Sequence, residues 1–91
     1  MTAVAADVSE DVEAALLAHP DVARLDGAVA SYLPGRRVDG VRVGDRVEVA
    51  VVLRLGRPVG EVVAELRAAV TRVAGRAPVD VVVADLEEEC E

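Results

Sequence analysis

Six residue types are missing from this 91-residue chain: lysine, isoleucine, asparagine, glutamine, phenylalanine and tryptophan. Most of them use AT-rich codons, so their absence favours a bacterial source with a GC-rich genome. Tyr32 is the only aromatic residue. Because hydrophobic residues still make up 53% of the chain, the sequence predicts a core built from aliphatic side chains.

The chain has a single cysteine, Cys90, and a single histidine, His19. One cysteine excludes an internal disulfide and a Cys-x-x-Cys metal site. The carboxylates on both sides of Cys90 disfavour a reactive thiolate. His19 ends a predicted helix, where its charge suits the helix dipole, and it has no paired cysteine or second histidine. We therefore predict no catalytic residue, no metal site and no cofactor site.

The chain also lacks a positive balance of charge, a long apolar run and a basic N-terminal segment. The net charge of −7 disfavours nucleic acid as a partner, since phosphate binding needs a concentrated positive surface. The apolar runs are too short to span a membrane, and no secretory signal is predicted. We therefore expect a cytoplasmic protein without direct membrane insertion.

The clearest pattern lies at residues 46–86, where a strand period gives way to a helical period and then returns. One face of the first strand carries alternate aliphatic residues: Val47, Val49, Val51, Leu53 and Leu55. One stripe of the helix carries Val59, Val62, Val63, Leu66, Val70 and Val73. Gly75 and Pro78 end the helix before a strand with Val79, Val81 and Val83 on one face. Such a unit is most simply parallel and right-handed.

The first part of the chain predicts a helix followed by two interrupted strands. Asp7 or Ser9 caps the helix and Pro20 ends it. One strand covers residues 21–33 and weakens near Asp26-Gly27. After the Pro34-Gly35 turn, the second strand is interrupted at Asp39-Gly40, where a bulge at Gly40 would restore its face. Gly44-Asp45 is then a two-residue hairpin connection into the central strand.

The sequence thus predicts one α+β domain over residues 1–91, with a core at about 8–86 and an acidic tail at 87–91. Its architecture is a two-layer sandwich in the order α-β-β-β-α-β. Two helices cover one face of a four-stranded mixed sheet.

Parity in this sheet predicts an interface on the face away from the helices. Val49, Val51, Val81 and Val83 are predicted to face the helices. The residues that alternate with them along the two strands then face outward: Ala50, Val52, Val82 and Ala84. These side chains are aliphatic where a solvated face is usually polar. An exposed apolar patch of this kind indicates self-association or partner docking. The alternative is that small aliphatic residues are tolerated there, or covered by the N-terminal residues.

Arg36 and Arg37 support a different function. Two guanidinium groups after a rigid Pro-Gly turn could grip a carboxylate or phosphate, which would make the protein a small anion- or ligand-binding regulatory domain. A solvated loop explains the same pair of residues without a ligand.

The order and spacing of several segments resemble the alkaline shock protein family, the Gls-type general stress proteins. The matching segments are Ala14–Leu17, His19–Leu25, Tyr32–Val43, Val47–Gly56 with Pro58-Val59, and Val79–Asp85. They cover about residues 12–86, as in a short single-domain member, and no single motif is diagnostic. Asp21 stands where many members have glycine, which alters that turn.

The resemblance implies a role in cell-envelope stress and attachment to a membrane-anchored protein partner, with self-association in some members. It brings no catalytic residue. Two other families share the outline of the fold. Iron–sulfur scaffold domains need a Cys-x-x-Cys, and KH-type RNA modules need a Gly-x-x-Gly loop, and this sequence has neither. We therefore expect a non-enzymatic stress-response or envelope-associated protein that acts through protein–protein contacts.

Overall fold

The computed structural model describes residues 4–88, with side chains from residue 8 onward. Its two helices are α1 (Val4–Leu17) and α2 (Val59–Ala74). Its six strands are β1 (Val22–Leu25), β2 (Ala30–Leu33), β3 (Arg36–Asp39), β4 (Val41–Val43), β5 (Val47–Arg54) and β6 (Val79–Glu87). The α+β class is confirmed, but the element order is α-β-β-β-β-β-α-β. Cys90 and the end of the acidic tail lie outside the described residues.

Strand β5 is the centre of a four-stranded mixed sheet. Along one edge it pairs in parallel with β6 over its whole length. Since a strand has only two edges, β4 and β1 share the other edge. There β4 pairs antiparallel with Val47–Val49, and β1 pairs antiparallel with Val51–Leu53. The sheet is therefore only three rows wide.

The two interrupted strands predicted in the first half are each two separate strands. Strands β2 and β3 form their own two-stranded antiparallel sheet, which leaves the main sheet after β1 and returns at β4. The exit is a turn in which the Asp26 carboxylate accepts the Ala28 N–H at 2.9 Å. The return is at Gly40. The prediction of one continuous strand on each side of Pro34-Gly35 is wrong. At the Asp26 turn the chain passes from the main sheet to the β2–β3 sheet, and at Gly40 it passes back.

Gly40 occupies the point of return, and no other residue fits there without movement. Its φ is +82°, in the left-handed region. A Cβ at this position would lie 2.6 Å from the Leu25 Cβ and 2.9 Å from the Ala50 carbonyl oxygen. The Gly40 N–H donates to Val29 at 2.7 Å, and its carbonyl accepts the Ala50 N–H at 2.9 Å. Gly40 therefore links the hairpin to β5; it is a junction between sheets and not a bulge within one strand.

Both helices pack on the same face of the sheet, as predicted. One continuous cluster of buried side chains contains Val12 and Leu16 of α1, Val62, Leu66 and Val70 of α2, and Val47, Val49, Val51 and Leu53 of β5. The β2–β3 hairpin adds Val38 to the same cluster. The core is aliphatic throughout, as the composition required.

Two local predictions in the first half differ from the structure. Helix α1 begins at Val4, ahead of both predicted caps. Ser9 is instead buried inside the helix, where its hydroxyl donates to the Ser31 hydroxyl at 3.3 Å. The β4–β5 connection has three residues, not two, because Val43 pairs with Val47 and the Gly44 N–H donates to the Arg46 carbonyl at 3.0 Å.

Candidate functional site

The predicted interface residues lie on the outer face of the sheet, away from the helices. Val51 and its alternate neighbours belong to the core cluster, whereas Ala50 and Val52 are not part of it. Their exposure nevertheless differs. Ala50 and Val52 are buried, at 0% and 1% exposed, while Val82 is 49% exposed and Ala84 is exposed. The predicted bare patch therefore exists only on β6.

Val52 is covered because β5 is flanked on both sides. Arg24 of β1 is the register partner of Val52, and Glu87 of β6 is the register partner of Arg54. Arg24 and Glu87 form an ion pair, so their side chains bridge the outer face of β5. The predicted tail residue Glu87 is thus part of the sheet. The stem of a long arginine side chain covers apolar surface while its head stays in water.

Strand β6 forms one edge of the sheet. It has nine residues, and within residues 4–88 its only strand partner is β5. Its regular parallel ladder runs from Val79 to Val83 and is interrupted by a bulge at Ala84. We call the unpaired side of Val79–Ala84 the β6 edge.

The backbone directions along the β6 edge follow from the parallel ladder. The Val47 N–H donates to the Pro78 carbonyl at 2.8 Å, while Val47 is in register with Val79. In a parallel ladder, a residue that bonds to the neighbours of its register partner leaves that partner's own N–H and C=O pointing away from it. The N–H and C=O of Val79 therefore point away from β5. By alternation, the backbone groups of Val79, Val81 and Val83 point outward. Arg67 donates from Nε to the Val79 carbonyl at 3.4 Å, so the groups of Val81 and Val83 remain.

The acidic residue within the β6 edge, Asp80, is paired inside the chain. Arg46 donates to both carboxylate oxygens of Asp80, at 2.6 and 2.8 Å. These hydrogen bonds hold the pKa of Asp80 below its ordinary value. The segment from Val81 to Ala84 has no charged residue. The β6 edge is therefore an apolar strip with a free backbone and an acidic group held by its own arginine.

Arg36 and Arg37, predicted as an alternative anion site, point to different partners. Arg36 lies against α1, donating to Glu10 at 2.8 Å and to Glu13 at 2.8 and 3.0 Å. Those carboxylates raise the pKa of Arg36, with the Glu13 hydrogen bond the largest cause. Arg37 lies over the Tyr32 ring, 5.5 Å from its centre.

Arg37 also has a carboxylate partner. Its Nε lies 2.7 Å from an Asp39 carboxylate oxygen. Adjacent residues of a strand project to opposite faces, so the two guanidinium groups do not converge on one point. The geometry therefore offers no support for a joint grip on an anion.

The densest polar cluster joins the end of α1 to α2. The Asp21 N–H donates to His19 Nδ1 at 3.0 Å, so a neutral imidazole carries its proton on Nε2. His19 Nε2 lies 2.7 Å from a Glu65 carboxylate oxygen. Arg57 donates to both oxygens of Glu65, at 2.9 and 2.6 Å, and to Asp21 at 3.0 Å. His19 Nε2 thus joins the end of α1 to α2, while Nδ1 closes a local turn to Asp21; the predicted contact with the helix dipole stays a prediction.

An open groove of about 360 Å³ lies between α1, the β2–β3 hairpin and β4. Two of its polar side chains are already paired: the Ser31 hydroxyl donates to the Val41 carbonyl at 2.6 Å, and Arg42 donates to Glu48 at 2.5 Å. Within residues 4–88, no group of three or more acidic, histidine or cysteine side chains is arranged to hold a metal ion. No helix in the same range is long and apolar enough to cross a bilayer.

No protein-family model, curated protein or solved structure matches the chain. The resemblance to the alkaline shock protein family therefore stays a prediction.

Sequence reasoning placed Val82 and Ala84 correctly on the outer face but did not identify the β6 edge. Pattern alone predicts that β6 pairs with β5, but it does not say whether a further strand lies beyond β6. A usable signal was the uncharged run Val81–Ala84, since edge strands usually carry protective charges.

Proposed function

We propose that this protein is a small non-enzymatic interaction module that contacts other proteins through the β6 edge. The observation that carries the proposal is that, in the described part of the chain, one edge of β6 has no strand partner, with Val82 and Ala84 exposed beside it.

An edge of this kind favours contact for two physical reasons. Its outward N–H and C=O groups are a template for another strand, which gains main-chain hydrogen bonds on docking. Its outer face adds apolar area, which becomes favourable to bury once a partner excludes water. The neighbouring acidic group, Asp80, is held by Arg46, so an approaching strand does not meet an unpaired charge there.

The cellular setting follows from the family resemblance alone. On that basis we place the protein in the cell-envelope stress response, near the membrane through a membrane-anchored protein partner. The net charge of −7 supports a protein partner over nucleic acid.

Partner capture with matched variants tests the proposal. Tagged wild-type protein, Val82→Asp and Val59→Asp are each used to recover partners from soluble and detergent-extracted membrane fractions. Val59 is 36% exposed at the start of α2, where an added carboxylate suits the helix dipole, so Val59→Asp controls for the extra charge. We expect Val82→Asp to lose a partner that both other proteins retain. Equal recovery by all three would contradict a role for the β6 edge.

A further inference from the structure

We propose that the β6 edge pairs with the β6 edge of a second copy of the chain, antiparallel about a two-fold axis at Val82. This inference rests on the proposed function of the β6 edge as a contact surface and adds a second copy of the chain as one of its partners.

The free backbone groups set the register of this pairing. In an antiparallel ladder, outward-pointing residues face one another and exchange both hydrogen bonds. A two-fold axis at Val82 places Val81 of each copy opposite Val83 of the other. The outward N–H and C=O groups of Val81 and Val83 in both copies are then satisfied in one step. The bulge at Ala84 shifts the backbone beyond it, which confines the pairing to Asp80–Ala84.

The side chains are compatible with the same register. On the outer face, Val82 lies beside Val82 of the second copy, and Asp80 lies opposite Ala84. Facing carboxylates are avoided, although each copy carries a net charge of −7. The sequence of the β6 edge is therefore complementary to itself.

The other edge of the sheet is a poorer partner for β6. It is divided between the short strands β1 and β4. The Val41 carbonyl of β4 is already occupied by the Ser31 hydroxyl at 2.6 Å. Pairing β6 with that edge would also be head-to-tail and leave free ends, whereas the two-fold arrangement closes on itself.

The contact is short, so the dimer is expected to be weak. Five paired residues per copy lie well below the roughly 20–30 residues a side of a typical interface, which buries about 1,200–2,000 Å². We expect the dissociation constant of the dimer to be micromolar or higher.

A charge exchange at Val82 tests the register. Val82 is 49% exposed on the outer face and its side chain is outside the core cluster, so a charge there leaves the β5–β6 ladder in place. Val82→Asp alone and Val82→Lys alone each bring like charges together at the axis. A 1:1 mixture brings opposite charges together. Sedimentation velocity over a concentration series should show dimer for wild type and for the mixture, and monomer for each variant alone.

Amide hydrogen exchange on the wild type provides a second measurement that needs no mutation. The amides of Val81 and Val83 should exchange several-fold more slowly as protein concentration rises. The amides of Asp80 and Val82, which point toward β5, should not change with concentration.

Three results would overturn the inference: a wild type that is monomeric at every concentration, a dimer unaffected by either charge, or single variants that mixing does not rescue. A monomeric wild type whose partner is lost on Val82→Asp would remove this inference and leave the proposed function standing. If the Val82 variants dimerise only when mixed, and partner capture is the same for wild type and Val82→Asp, the proposed function is contradicted and this inference stands.

Discussion

At the scale of single residues, arginine fixes the polar surface of this protein. Arg36, Arg46 and Arg57 each donate to carboxylates from another part of the chain. Such pairs are solvent-exposed, so each contributes little to the free energy of unfolding. Their effect is on geometry, because a planar guanidinium group holds two segments at a set distance.

Glu65 gives a pH dependence that can be measured. Its pKa is lowered from 4.5 to about 2, first by the hydrogen bond from Arg57 and then by that from His19. A carboxyl whose pKa is lower in the folded state stabilises the fold above its unfolded pKa. This contribution should be fully present above about pH 4.5 and lost as pH falls through about 2.

Thermal unfolding of wild type and Glu65→Gln between pH 5 and pH 2 checks this expectation. The wild type should lose melting temperature more steeply in that window, because Glu65→Gln has no carboxyl to protonate there. The difference should shrink in high salt, which screens exposed pairs. Parallel curves for the two proteins would show that Glu65 does not contribute.

At the scale of elements, the β5–α2–β6 unit was predictable because its periods are clean. Val47–Arg54 alternates, α2 carries one apolar stripe, and Gly75 ends α2 with a φ of +82°. The segment from Val22 to Val43 was harder. Its strands have three or four residues, so too few side chains are available to show which sheet each strand joins.

Gly40→Ala should destabilise the protein more than Gly35→Ala. Both glycines have positive φ, at +82° and +74°. Only Gly40 also lacks space, since a Cβ there would meet the Leu25 side chain and the Ala50 carbonyl, while nothing lies within 4 Å at Gly35. Urea unfolding should show a loss of about 2–5 kcal/mol for Gly40→Ala, from backbone strain plus overpacking, against about 1–2 kcal/mol for Gly35→Ala. Equal losses would mean that the junction adjusts without strain.

At the scale of the whole molecule, α1, α2 and the sheet share one aliphatic core. Val12 and Leu16 reach it from α1, and Leu66 reaches it from the middle of α2. With a single cluster of buried side chains, we expect the described part of the chain to unfold as one unit.

Leu66→Ala tests that expectation. Leu66 is fully buried, so the variant should lose about 2–5 kcal/mol in the free energy of unfolding, from lost burial plus the cavity. Leu17→Ala is the matched control, because Leu17 is 52% exposed and its loss should stay below about 1 kcal/mol. Chemical unfolding followed by circular dichroism measures both. An unchanged midpoint for Leu66→Ala would contradict the position of α2 over the sheet.

The sequence by itself determined the aliphatic core, the α+β class, the parallel β5–β6 pair and the face on which Val82 and Ala84 lie. These depend on side-chain periods of 2 and 3.6 residues, which are local properties of the chain. Only the tertiary structure decided that Arg24 and Glu87 bridge the outer face beside Val52, that Arg36 and Arg37 part to separate partners, and that β6 is an edge. Each of these depends on which distant segment becomes a neighbour, and no local period carries that information.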